Sequence, residues 1–103
     1  MTRPEPFSVV VDLADAFWAP RRAQLRDHTL PLMLHQLEEA GALDAFRRLD
    51  SDGPAGERRG LWFSDSDLYK WMEAAAWAGR LDLLDPVIEL IPRAQHADGY
   101  LHT

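Results

Sequence analysis

Apolar positions along the chain recur mostly at helical spacing. Leu30, Met33, Leu34, Leu37 and Ala40 fall on one stripe, His35, Gln36, Glu38 and Glu39 fall away from it, and Gly41 supplies a stop. This pattern predicts a helix from Leu30 to Ala40. Upstream the helical period starts at Asp15, and Pro20 suits a first turn, so a short helix is expected over 20–29 that Pro31 ends or kinks. Leu43, Phe46 and Leu49 mark a third, short helix.

Asp50–Arg59 (DSDGPAGERR) gathers Gly, Pro, Asp and Ser and is the clearest loop, a place for a flexible or variable insert. The next segment, GLWFSDSDLYKWMEAAAWAGR, opens with Ser64 and Asp67 at capping-box spacing and should be helical to about Gly79. Leu68, Trp71, Met72 and Ala75 lie on one side of it, and Ala74, Ala76 and Trp77 cover much of the rest. A helix without a wide polar face belongs in the interior. The last helix, expected over Asp85–Ala97, turns Leu84, Val87, Ile88, Ile91 and Ala94 inward and keeps Asp85, Glu89, Arg93 and His96 wet. Asp85 would cap it, Pro86 fits its first turn, and Pro92 should bend it at a cost of up to ~3 kcal/mol.

Only Phe7–Leu13 (FSVVVDL) alternates like a strand, and no second strand is available to pair with it. The expected fold is therefore all-α with one short N-terminal strand: residues 1–14 form a lead-in and 15–103 the helical part. A buried helix followed by an amphipathic one is the repeating unit of a two-layered helical ring. Five short helices are too few to close such a ring, and they leave Trp18, Trp62, Trp71 and Trp77 competing for cover.

Composition narrows the function more than the fold. Apolar types make up 47% and charged types 27%, which excludes a disordered chain. Eleven basic against seventeen acidic residues give a net charge of -6, so neither nucleic acid nor an anionic membrane is an expected partner. No apolar run approaches the ~20 residues of a membrane span, and the opening MTRPEPFSVV has no export pattern, so a cytoplasmic location is expected. Cysteine is absent, which removes disulfides, thiolate metal sites and cysteine nucleophiles from these 103 residues.

Candidate chemistry centres on Asp65 and Asp67, which stand with Trp62, Phe63, Tyr69 and Trp71. Acids beside aromatics suit a sugar-binding mouth, while helix capping accounts for the same two carboxylates. They are too close in sequence to be assigned as an acid/base pair, which needs ~5 to 9.5 Å between carboxyls. His28, His35, His96 and His102 match no metal-ligand spacing and read as surface residues. Glu38, Glu39, Arg47, Arg48, Arg58 and Arg59 read as solvated charges, and P-loop, GxGxxG, GxSxG and HExxH motifs are absent. If the last two helices form an antiparallel hairpin, FSDSD and DGYLHT emerge at one end. Asp65, Asp67, Asp98, Tyr100 and His102 would then share a pocket rim.

Four ordered blocks, FWAPRRAQLRDHTLP, HQLEEAGALDAFRR, RGLWFSDSDLYKWMEAAAWA and LIPRAQHADGYLHT, resemble the N-terminal region of glycoside hydrolase family 127 over residues 15–103. This is the β-L-arabinofuranosidase-like family, also called DUF1680. The resemblance implies the first helices of an incomplete (α/α)6 barrel, a six-hairpin toroid, followed in full-length members by β-sandwich domains. It also implies retaining, exo-acting hydrolysis of terminal β-L-arabinofuranosides in plant-type glycans. The implied nucleophile is a cysteine held on zinc by further cysteines and a glutamate, with another glutamate as acid/base. A zinc-bound thiolate is deprotonated at neutral pH, so it can attack an anomeric carbon and then leave.

No catalytic residue and no metal ligand carries over to this chain, so zinc is implied only for the full-length family. What carries over is scaffold and pocket rim: Asp65, Asp67, Tyr69 and Trp71 from one block, and Asp98, Gly99, Tyr100 and Thr103 from the other. His102 and Pro92 depart from the commoner family pattern. The expectation is a truncated N-terminal part of a glycosidase, inactive alone, whose apolar faces meet the remainder of the barrel or a second copy and whose carbohydrate substrate belongs to the full-length enzyme. The competing reading, from a different class, is a stand-alone helical protein-interaction module or a decayed gene product without enzymatic activity.

Overall fold

The computed structural model describes residues 12–103. These are all-helical in their regular structure, and no strand occurs among the described residues. The strand expected over 7–13 lies outside them except for Asp12 and Leu13, which have no regular structure. No helix among the described residues is long and apolar enough to cross a membrane.

Helix α1 (Trp18–Gln24) is started by Asp15, whose Oδ1 accepts the backbone N–H groups of Phe17 and Trp18, both at 2.8 Å. Pro20 sits in its first turn, as the sequence predicts. Pro31 does not end it. The chain instead widens into a π-helical segment, Leu25–Thr29, and continues as α2 (Leu30–Glu39). In this segment the Leu30 N–H reaches back to the Leu25 carbonyl, one residue further than in an α-helix. The widened turn absorbs the crowding a proline imposes on the preceding turn.

After α2, Gly41 takes a left-handed φ of 85° and turns the chain into α3 (Ala42–Arg47). On α2 only Leu30 is fully buried. Leu34 and Leu37 are half-buried, whereas Met33 and Ala40, expected on the same inward stripe, are exposed. Every side chain of α3 except Asp44 and Arg47 is buried.

The loop from Leu49 to Phe63 leads to α4 (Asp65–Trp77). The expected capping box does not form: Ser64 makes no side-chain cap bond, because its Oγ accepts a guanidinium instead. Gly79 closes the helix as predicted, with φ 71°. The Gly79 N–H bonds the Ala76 carbonyl and the Arg80 N–H bonds the Ala75 carbonyl, the paired closure of a Schellman turn.

The last helical stretch differs from expectation. It starts at Leu81 rather than Asp85, so Pro86 lies inside α5 (Leu81–Ile88), where it costs one hydrogen bond on an exposed face. A break at Glu89, three residues before Pro92, separates α5 from α6 (Leu90–Ala94), and the helix ends at Ala94 rather than Ala97.

α4 runs antiparallel to the α1–α2 rod. Gly60, just before α4, lies against the Ala40 carbonyl, Trp71 reaches Leu30, and Arg80, just past the end of α4, reaches Arg26. α3 packs on α4 and α6, and α5 on α4. Leu30, Leu43, Phe46, Leu68, Trp71, Ala75, Leu84, Val87 and Ala94 form one core. Each large side chain sealed there contributes about 1.5–3 kcal/mol of burial.

α4 is not interior on all sides. Leu68, Trp71 and Ala75 face the core, while Ala74, Ala76 and Trp77 face outward, and Trp77 is 82% exposed. Trp62 and Phe63 before the helix and Leu25 and Met33 on the α1–α2 rod are exposed as well. These apolar side chains stay uncovered among the described residues.

Candidate functional site

The two segments expected at one end of the bundle do meet there, and Arg58 joins them. Its Nη2 lies 3.0 Å from Ser64 Oγ and 3.5 Å from Thr103 Oγ1, and its Nη1 donates to the Gly60 carbonyl. Arg48 reaches the same place from the end of α3, with Nη2 3.5 Å from the Thr103 carbonyl oxygen. Thr103 is buried. FSDSD and DGYLHT are thus tied through the loop residue Arg58, which is half-buried and bonded rather than a solvated charge.

Around this tie the candidate residues fall into three groups. Asp65 opens α4 half-buried, and its Oδ1 accepts the Ser66 N–H at 2.9 Å. Tyr69, one turn on, packs its ring edge-on to Phe46 at 5.8 Å. Burial pushes the Tyr69 phenol above the ordinary tyrosine range, and the nearby Asp65 charge adds to the effect.

Asp67 parts company with Asp65. It is exposed, 3.8 Å from Lys70, and lines a groove of about 450 Å³ between α2 and α4 with Met33, Leu37 and Ala74. Trp71 corrects the sequence reading: it is 1% exposed, and its indole N–H donates to the Leu30 carbonyl at 2.9 Å. It is a core anchor between α4 and α2, not a rim residue that a sugar ring could stack on.

The third group is the turn after α6. Asp98 Oδ1 accepts the Tyr100 N–H at 3.0 Å, Gln95 Nε2 donates to the Gly99 carbonyl at 2.7 Å, and Gly99 takes a φ of 92°. This folds the Tyr100 ring between two imidazoles, edge-on to His96 at 5.6 Å and stacked on His102 at 6.5 Å with 10° between planes. Tyr100 and His102 are exposed, so the turn presents an aromatic column to solvent.

Sequence reasoning missed a charge network behind this end. Arg47 donates to both Glu38 oxygens and lies 2.9 Å from Asp44, and Arg59 holds the other Asp44 oxygen at 3.2 Å. The hydrogen bond from Arg47, with the charges of Arg47 and Arg59, keeps the Asp44 carboxyl below the usual carboxylate range. Asp44 precedes Arg47 by three residues on α3, a spacing that signals such a pair, but Glu38 and Arg59 come from other elements.

These residues do not fit a zinc–thiolate centre. There is no cysteine in the chain, and no three His, Asp or Glu side chains gather closely enough to hold a metal among the described residues.

The model of the β-L-arabinofuranosidase GH127 catalytic domain matches residues 10–103, and the chain belongs to that family. A non-reducing end β-L-arabinofuranosidase of Bifidobacterium longum subsp. longum is 30% identical over 123 aligned residues, which take in 90% of this chain and 18% of that enzyme. The chain therefore spans less than a fifth of that curated relative. No solved structure matches it.

Proposed function

We propose that residues 15–103 supply the opening helices of an (α/α)6 barrel whose complete form removes terminal β-L-arabinofuranose from glycans with retention of configuration. The observation that carries this reading is the meeting of FSDSD and DGYLHT at Arg58, inside a span that matches the family throughout. In it Asp65, Tyr69, Asp98, Tyr100 and His102 belong to the pocket rim, where carboxylates take sugar hydroxyls and rings take sugar faces. Asp67 faces the groove between α2 and α4, which, with exposed Trp77, receives later helices of the barrel.

The chain alone is inactive on this reading, since it supplies neither a thiolate nucleophile nor a metal site. Two assays with an aryl β-L-arabinofuranoside test it. The 103 residues alone should release no aryl alcohol, whereas a chimera in which they replace the aligned segment of the Bifidobacterium enzyme should hydrolyse the substrate. Turnover by the isolated chain, or a folded chimera without activity, would overturn the proposal.

A further inference from the structure

Two exposed surfaces of the chain are opposite in charge and alike in apolar content. One is a groove of about 230 Å³ between the α1–α2 rod and the end of α4, lined by Arg22, Leu25, Arg26, Ala74, Trp77 and Ala78. Leu25 and Trp77 are exposed there, and α1 has no acid in its first turn and two arginines in its last. Arg22 enters no salt bridge among the described residues. Arg26 holds Asp27 with Nε and Nη2, which leaves its Nη1 edge for a second carboxylate.

The other is the outer side of α5. Leu81, Asp85 and Ile88 follow one another at helical spacing and are exposed, and Glu89, one turn after Asp85, is exposed beside them. Leu84 and Val87 seat the helix in the core. Arg80 takes Asp82, whereas Asp85 and Glu89 enter no salt bridge among the described residues. No residue of α5 lines the groove, so the groove is not filled by the α5 of its own chain.

We propose that the groove between the rod and α4 docks α5 of a second copy of this chain. The two arginines of the groove stand four residues apart on the rod and the two acids stand four residues apart on α5, about 6 Å in each case. An α5 laid in the groove brings Leu81 and Ile88 against Leu25 and Trp77 and sets Asp85 and Glu89 within reach of Arg22 and Arg26. The net charge of -6 opposes contact between two acidic faces, so a basic seat is the one that the acidic helix of another copy can take. On the reading above a later helix takes this seat in a complete barrel. The second copy takes it in the 103-residue chain, whether or not the whole protein is a glycosidase.

Sedimentation equilibrium of the 103-residue chain over a range of concentrations, at low and at high salt, tests it. The expected result is reversible self-association that weakens as salt rises. Arg22→Glu with Arg26→Glu, and separately Asp85→Arg with Glu89→Arg, should each weaken it roughly tenfold or more, because each sets like charges across the contact. An equimolar mixture of the two double variants should associate again, since their exchanged charges are complementary. Trp77→Ser, which leaves the charges in place, should also weaken association, and Glu57→Arg, in the exposed loop, should not. A monomer at every concentration would overturn the proposal and leave the groove to later helices alone. Association that survives both double variants, or a mixture of them that stays monomeric, would place the contact elsewhere and overturn it as well. Should a double variant fail to fold, Trp77→Ser decides: undiminished association overturns the proposal, and a loss supports it.

Discussion

Arg80 Nη1 lies 2.6 Å from the backbone carbonyl of Arg26, 54 residues earlier, and completes a helix that Pro31 leaves one bond short. In the π register of Leu25–Thr29, the Arg26 carbonyl looks to position 31 for its donor, and proline has no N–H. Arg80 takes that place while its other edge holds Asp82 at 2.9 and 2.8 Å. Arg80→Ala should lower the urea unfolding midpoint by a small but measurable amount, since it removes a hydrogen bond at a solvent-accessible site. The same change in a Pro31→Ala background should cost clearly less, because position 31 then has its own N–H. Equal losses in both backgrounds would show that the two residues are not coupled.

Trp71 carries the contact between α4 and α2 through both its ring and its N–H. Trp71→Phe should cost about 1–2 kcal/mol, since it deletes the hydrogen bond and part of the ring. Trp71→Ala should cost about 3–5 kcal/mol through the cavity it opens. Thermal unfolding followed by far-ultraviolet circular dichroism would rank the two, and a neutral Trp71→Ala would remove Trp71 from the core.

Tyr69 should ionise later than an ordinary tyrosine, because burial and the Asp65 charge both oppose the phenolate. Absorbance near the phenolate band, compared between the chain and Asp65→Asn, reads this directly: the variant should titrate closer to the unperturbed value of ~10. The sign for stability follows. A folded-state pKa above the unfolded one stabilises the fold below the unfolded pKa, and that contribution disappears as pH rises through the folded value, on the alkaline side of ~10.

At the acid end the relevant group is Asp44, held low chiefly by the hydrogen bond from Arg47. Its folded pKa lies below the unfolded one, so its contribution is full above the usual ~3.9 and is lost as pH falls through the folded value. Asp44→Asn should therefore lower the melting temperature at neutral pH and have little effect in strong acid. The carboxylate is partly exposed, so the change should be small, within ~1 kcal/mol.

Trp77 gives the fourth helix its most exposed large side chain, beside Leu25 along a shallow groove. Trp77→Ser should leave the melting temperature nearly unchanged and reduce binding of a hydrophobic dye and concentration-dependent light scattering. A large drop in melting temperature would mean that the ring is covered within this chain.

The parts legible in the sequence are those decided by short-range geometry. Gly41 and Gly79 end their helices because a left-handed φ suits only residues of their kind, and the pattern around them shows it. Pro31 interrupts the α-helical path without ending the rod, and the arginine that serves the carbonyl it leaves unpaired, Arg80, lies outside any local window. The pattern around Trp71 does not show that it is sealed, because a helix that is apolar nearly all round has no face to read and only its neighbours decide which side is covered. Ser64 and Asp67 have capping-box spacing, yet Arg58 takes the Ser64 hydroxyl. The convergence of FSDSD and DGYLHT was legible from topology, while the arginine that joins them was not, since a single arginine in a loop carries no pattern.

The π segment has a consequence for orientation along the chain. It contains one residue more than an α-helical path of the same rise, and one residue is about 100° of rotation. The Phe17–Trp18 pair, edge-to-face at 4.9 Å with Arg21 over the Phe17 ring, is therefore aimed by a single surplus residue between positions 25 and 29. Shortening that stretch by one residue would swing α1 and its aromatic pair to another side of the rod and leave α2 seated on the core. Helical phase, and not only helical length, determines what the first helix can touch.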